Sequence, residues 1–279
     1  MKDRSLKALG LAEVAATQPL IYPGRPVAES ALLHGDELLR LEPLDDRPGA
    51  WPVIDGGRIT LDKLLAEIGQ PTVDHRVPVL AVGSNASPGQ VSHKLTRLGL
   101  PAVVPMVPVR VGGIGVGVSG HISPAGYVAA SPYLDPATES VLVVTWLDPA
   151  QLAAVDATEI PDYRRILIDG DEHAMTLPSG EQLPSAYLYI NVNGVLATPD
   201  GAPRPAQEQR SLLSGLLASS ERLREMFGPD PETWITRAGA DPRLRAAGTR
   251  VFAEEGWVLR QKELLNHAPA GTDPAPVTS

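Results

Sequence analysis

The run VPVLAVGSNASPGQVSHKL, residues 77–95, decides how the chain is read. Its first residues are apolar and end at Val82, the composition of a short buried strand. Gly83, Ser84 and Asn85 then form a bend of small and polar residues. Ser87-Pro88 opens a helix, because proline lacks the N–H that a first helical residue leaves unpaired anyway. Val91, Leu95 and Leu98 follow at helical spacing up to Gly99. Such a strand–bend–helix gathers unpaired amides at a strand's carboxyl end and a helix's positive end, a favourable place for a carboxylate or a developing oxyanion. An ordinary structural turn with a serine cap has the same local pattern.

Outward from this run, short apolar stretches recur at 102–111, 126–131, 140–146, 163–168 and 185–190, separated by Gly and Pro. Asp148-Pro149 opens a second short helix carrying Leu152 and Val155. The fold class is therefore α+β, a mixed sheet with flanking helices. Residues 1–76 read as an N-terminal extension with short helices, one of them over about 4–16. A better-marked helix there has Thr60 as cap, Leu61, Leu64, Leu65 and Ile68 on one face, and Gly69 and Pro71 as stops. Residues 77–200 form the core. Residues 201–266 form C-terminal helices, with a Leu212, Leu213, Leu216, Leu217 stripe, a helix opened by Pro231, and another opened by Asp241-Pro242 and running toward Asn266. Residues 267–279 lack the apolar surface to offset ordering and read as a disordered tail.

Composition removes several classes of chemistry. The 279 residues include no cysteine, so thiolate catalysis, cysteine zinc sites and iron–sulfur clusters are excluded. A net charge of -9 repels phosphate backbones and argues for a small-molecule partner rather than nucleic acid. No apolar run is long enough to span a bilayer, and Glu13 interrupts any secretory leader, so a soluble cytoplasmic protein is expected. His34, His75, His93, His121, His173 and His267 lack metal-motif spacing and read as solvated or satisfied side chains. The glycines of RVGGIGVGVSG, residues 110–120, do not hand over to a helix, so they read as a glycine-rich strand rather than a phosphate loop.

The segment VTWLDPAQLAAVDATEIPDYRR, residues 144–165, places Asp156 and Glu159 three apart at the end of a helix, where negative charge opposes the macrodipole. Pairing with Arg164 or Arg165 would account for such acids, and so would a functional role for one of them. Together, in this order, the two segments resemble the γ-glutamylcyclotransferase-like family. That family opens with a strand and Tyr-Gly-Ser-Asn, matched here by Val82, Gly83, Ser84 and Asn85, with valine in place of the tyrosine. Its second signature, Leu-Asp-x-x-Glu followed by a Tyr-initiated strand, is matched by Val155, Asp156, Glu159 and Tyr163. A late strand, GEQLPSAYLYI, places Tyr187 where the family often carries a pocket tyrosine.

The resemblance covers about residues 77–200. It implies a β-barrel-like mixed sheet around a pocket for a γ-glutamyl group, and release of 5-oxoproline from γ-glutamyl amines or amides without metal or organic cofactor. The catalytic acid of the family then maps onto Glu159, and the substrate-binding residues onto Val82, Gly83, Ser84, Asn85, Tyr163 and Tyr187. The residues suit that chemistry. The substrate's own α-amine attacks its γ-carbonyl, so the reactants are already tethered. One carboxyl group can serve as base and then as acid, and a pocket of apolar walls around Glu159 would tune it for both. The alternatives are a binding or interaction module on the same fold, and a serine hydrolase built on Ser84 and His121.

Overall fold

The computed structural model describes residues 3–44 and 47–266. The tail expected over 267–279 lies outside the described residues. In chain order the elements are β1 (Ala31–His34), β2 (Glu37–Arg40), β3 (Pro52–Val53), β4 (Ile59–Thr60), α1 (Leu61–Glu67), β5 (Val77–Ala81), α2 (Pro88–Arg97), β6 (Val103–Ile122) and β7 (Val128–Leu147). Then come α3 (Pro149–Glu159), β8 (Tyr163–Asp169), β9 (Met175–Thr176), β10 (Ser185–Asn191), β11 (Val195–Leu196), α4 (Gln209–Ser219), α5 (Glu221–Phe227), α6 (Pro231–Ala240), α7 (Pro242–Glu254), β12 (Val258–Leu259) and α8 (Lys262–Asn266).

One sheet organises the molecule, in the order β12-β11-β6-β7-β5-β10-β8, with β1 and β9 also on β6 and β2 on β1. It is mixed: β5 and β10 run parallel, Tyr187 opposite Val79, while the other pairs are antiparallel. The sheet stays open between β12 and β8, so there is no closed barrel; α3 and α8 pack against the β8 edge instead. The glycine-rich stretch lies within β6. Apolar runs that the prolines divide in the sequence are continuous in space. Pairing of β6 with β7 passes through Pro132, and a register shift between Gly112 and Ile114 absorbs the mismatch.

Strand alternation builds two core faces. Leu80, Val144, Trp146, Leu188 and Ile190 point one way, toward Trp51, Leu61 and Leu65. Val79, Ala81, Val143, Tyr187 and Tyr189 point the other way, toward Val91, Leu95, Leu152 and Val155. Helices α2 and α3 therefore share a face of the sheet. A third cluster holds α4 to α7 together around Phe227 and Trp234, whose rings stack at 4.2 Å.

Two expected helices differ. Residues 4–16 form turns, not a helix: Leu6 N–H donates to Asp36 O, Leu38 N–H to Arg4 O, and Gly10 adopts φ +68°, which ends helical winding. The helix from Pro242 stops at Glu254 and does not reach Asn266, because the chain must extend for β12 to pair with β11. Other marked signals are met: Thr60 Oγ1 caps α1 by accepting from Lys63 N–H, and α2, α3, α6 and α7 each begin at proline, although Ser87 Oγ makes no cap to α2.

Candidate functional site

The start of α3 is pinned by a capping box. Asp148 Oδ1 accepts from Gln151 N–H at 2.9 Å, and Gln151 Oε1 accepts from Asp148 N–H at 3.1 Å. Buried Arg76 also donates to Gln151 Oε1 and to the Val103 carbonyl, tying the helix to β6. The far end of α3 is thereby fixed in space, and its two acids take different partners. Asp156 is held by the Arg165 guanidinium, at 3.0 and 3.2 Å, and by the Tyr189 hydroxyl at 2.6 Å, as pairing with a neighbouring arginine anticipates. Glu159 turns the other way, toward the bend after β5.

There, Asn85 Nδ2 donates to Glu159 Oε1 at 3.0 Å, joining residues 74 apart in the chain. Lys94, on α2, donates to the same Oε1 at 3.2 Å, to Asn85 Oδ1 at 2.8 Å and to Thr158 Oγ1 at 2.9 Å. The Lys94 and Glu159 side chains are only 11% and 18% exposed, so solvent screens this pair less than a surface one. Oε1 is thus doubly held, and Oε2 has no hydrogen bond among the described residues. The environment of Glu159 is polar and cationic on one side rather than a wholly apolar pocket.

Beside this contact lies a cavity of about 430 Å³. Val82, Gly83, Ser84, Asn85, Glu159 and Tyr163 all border it. Tyr187 does not: its ring lies under the Arg165 guanidinium, 4.4 Å from centroid to carbon, within the sheet's packed face. Tyr189, two residues on along the same face, borders the cavity instead.

Further walls come from residues without a local motif: Tyr22, Lys94, His121, Tyr127 and Asp162. Tyr22 stacks on Tyr127 at 4.2 Å, and its hydroxyl accepts from Ala130 N–H at 2.9 Å. Tyr163 donates to the Ala130 carbonyl at 3.0 Å, so two phenols hold the backbone of one residue from its two sides. The Tyr22 hydroxyl also sits so close over Gly83 that a Cβ there would collide with it. A phenol thus reaches the bend, although residue 82 is valine. Lysine in the last turn of a helix is also the ordinary complement to its dipole, which is why Lys94 carried no separate signal.

Burial sets the protonation of these phenols. Tyr127 is pushed up to about 12 by desolvation, with the nearby Glu159 charge adding to the effect. Tyr22, Tyr163 and Tyr189 are raised well above the ordinary phenol value, again chiefly by burial. Burial acts oppositely on His121, lowering it despite the attraction of Asp162 and Glu159. A hydrolase built on Ser84 needs an imidazole whose Nδ1–H is oriented by an acid. Here His121 Nδ1 contacts Asn191 Nδ2 at 2.8 Å, which is the opposite arrangement.

Among the described residues no group of three or more His, Cys, Asp or Glu is placed to hold a metal ion, and no helix is long and apolar enough to cross a membrane. No family model matches the chain, and no curated protein sequence does. Among solved structures, similarity extends to a γ-glutamyl cyclotransferase, at 14% identity and TM-score 0.33, covering 71% of this chain and 92% of the other. A yeast γ-glutamyl cyclotransferase specific to glutathione is similar at 13% identity and TM-score 0.30, covering 59% and 96%. An Arabidopsis thaliana protein solved in solution is similar at 18% identity and TM-score 0.34, covering 54% and 81%. At such identities and scores the chemistry of the site has to come from its own side chains.

Proposed function

We propose that the chain converts a γ-glutamyl amine or amide into 5-oxoproline and the free amine, with Glu159 as general acid and base. The observation that carries this reading is the Asn85–Glu159 contact at the edge of the cavity, which joins the end of α3 to the bend after β5. It supports the pairing of acid and bend suggested by the sequence resemblance.

The proposed reaction uses that placement. The substrate's α-ammonium gives a proton to Glu159, whose Oε2 is the oxygen left unheld. The freed amine attacks the γ-carbonyl carbon, a C–N bond forms, and a five-membered ring closes. Tethering supplies most of the proximity, so no protein nucleophile is required. Amides of the 83–85 bend are suited to the oxyanion of the tetrahedral intermediate. The bond to the leaving nitrogen then breaks. The two surplus protons of the original ammonium end on that nitrogen, which leaves as an ammonium, and Glu159 returns to its starting state. Lys94 and Asn85 keep the carboxylate from swinging away between the two transfers.

The test is chromatographic detection of 5-oxoproline from a panel of γ-glutamyl amines and dipeptides incubated with the full chain. Glu159→Gln should lower turnover by roughly 10²–10⁴-fold while the fold persists. Wild-type protein that forms no 5-oxoproline from any of them would sink the proposal. A second reading, a module that binds such compounds without turnover, is favoured by the largely buried Lys94–Glu159 pair, which suits a structural latch. It predicts saturable binding by calorimetry with no product.

A further inference from the structure

Asn191 and His121 are both buried where β10 and β6 end, at 0% and 4% exposure. Asn193 N–H lies 2.8 Å from the Asn191 side-chain oxygen. A backbone amide only donates, so this contact fixes which end of the Asn191 amide is oxygen and which is nitrogen. The nitrogen end then points at His121 Nδ1, at 2.8 Å. An amide nitrogen also only donates, so Nδ1 must offer a lone pair. An imidazolium, with N–H on both nitrogens, would set donor against donor at this contact. The ring is therefore neutral, with its proton on Nε2.

The surroundings agree. Tyr163 from β8 meets the ring edge-on at 5.6 Å, and burial opposes a charge there, while Asp162 and Glu159 are the acids that pull the other way. His121 borders the cavity shared with Glu159 and the 83–85 bend, and its Nε2 has no partner among the described residues. That donor faces the cavity with no acceptor of its own among the described residues, so an oxygen of a bound molecule can take its hydrogen bond.

Building on the cyclotransferase reading, we infer that His121 is a substrate-binding donor: a neutral imidazole, locked by Asn191, that presents Nε2–H to an oxygen of the bound γ-glutamyl group. It makes its strongest contribution where the γ-carbonyl oxygen gains negative charge, acting as an electrophile and not as the base of a hydrolase. A positively charged histidine would also give its proton away; a neutral one only polarises.

Nitrogen-15 NMR of histidine-labelled full chain should show Nε2 protonated and Nδ1 unprotonated at neutral pH, and saturating 5-oxoproline should shift the Nε2–H resonance. An Nδ1–H tautomer, an imidazolium, or an unmoved resonance in protein that binds 5-oxoproline would overturn the inference. Asn191→Asp replaces the donor facing Nδ1 by an acceptor, so it should switch the proton to Nδ1 and lower kcat with KM within a few-fold of wild type. His121→Leu should lower kcat by roughly 10²-fold, and His121→Gln, which keeps an N–H, should restore part of it. Equal kcat in all four proteins overturns the inference. Wild type that makes no 5-oxoproline removes the cyclotransferase reading instead, and the tautomer and its switch in Asn191→Asp then decide the donor by themselves.

Discussion

Lys94 touches three oxygens at once, on Asn85, Thr158 and Glu159, and so couples α2 to both halves of the site. Lys94→Met should leave the carboxylate beside an apolar stem, at a cost of about 2 kcal/mol read from urea unfolding, less than for a fully buried pair because both groups keep some solvent. Product formation should fall at least tenfold in the same variant. Gly83→Ala should act from the other side: its methyl group displaces the Tyr22 phenol, costing about 1–3 kcal/mol and breaking the Tyr22–Tyr127 stack, visible as a change in near-ultraviolet circular dichroism. Glu159 and the 83–85 bend could be read from the chain because each sits in a local pattern of strand, turn and helix end. Tyr22 and Tyr127 could not, and His121 is legible only in the wrong role, as the base of a hydrolase, since what makes these residues neighbours is sheet pairing and chain reversal, not spacing.

At the scale of elements, α3 is a lever whose fulcrum is its first turn. Asp148→Ala removes the cap and should cost about 1 kcal/mol in thermal or urea unfolding, with kcat close to wild type because Arg76 still grips Gln151. A large loss of kcat without loss of stability would show that the cap positions Glu159 more directly. The helices that begin at proline are legible because the signal is steric and local. The expected helix over 4–16 fails for the converse reason: its turns are fixed by hydrogen bonds to residues 36 and 38, which no local spacing records. Likewise Pro132, a break in the sequence, sits inside the pairing of β6 and β7, because tertiary pairing tolerates a missing donor where the register shifts nearby.

For the whole molecule, burial of phenols makes stability sensitive to alkali. Tyr22, Tyr127, Tyr163 and Tyr189 are raised above the value of about 10 that they take in the unfolded chain. The folded state therefore holds protons that the unfolded state releases. The stability that accompanies this difference is whole below about pH 10 and declines as pH climbs toward about 12, where Tyr127 itself ionises. Ultraviolet difference titration should show these phenols still protonated at about pH 10, and the urea midpoint should drop between about pH 10 and about pH 12. A midpoint that stays level across that interval would mean the phenols are wetter than the packing indicates.

The walls of the cavity are contributed by residues as far apart as Tyr22 and Tyr189, and the seat of His121 by Asn191. During synthesis, then, the ribosome has made Glu159 and the bend it meets well before it makes the amide that orients the imidazole. A nascent chain halted ahead of β10 has the acid and the imidazole but lacks the amide that orients the ring, so competence for the proposed chemistry arrives late, with the strand that slots between β5 and β8.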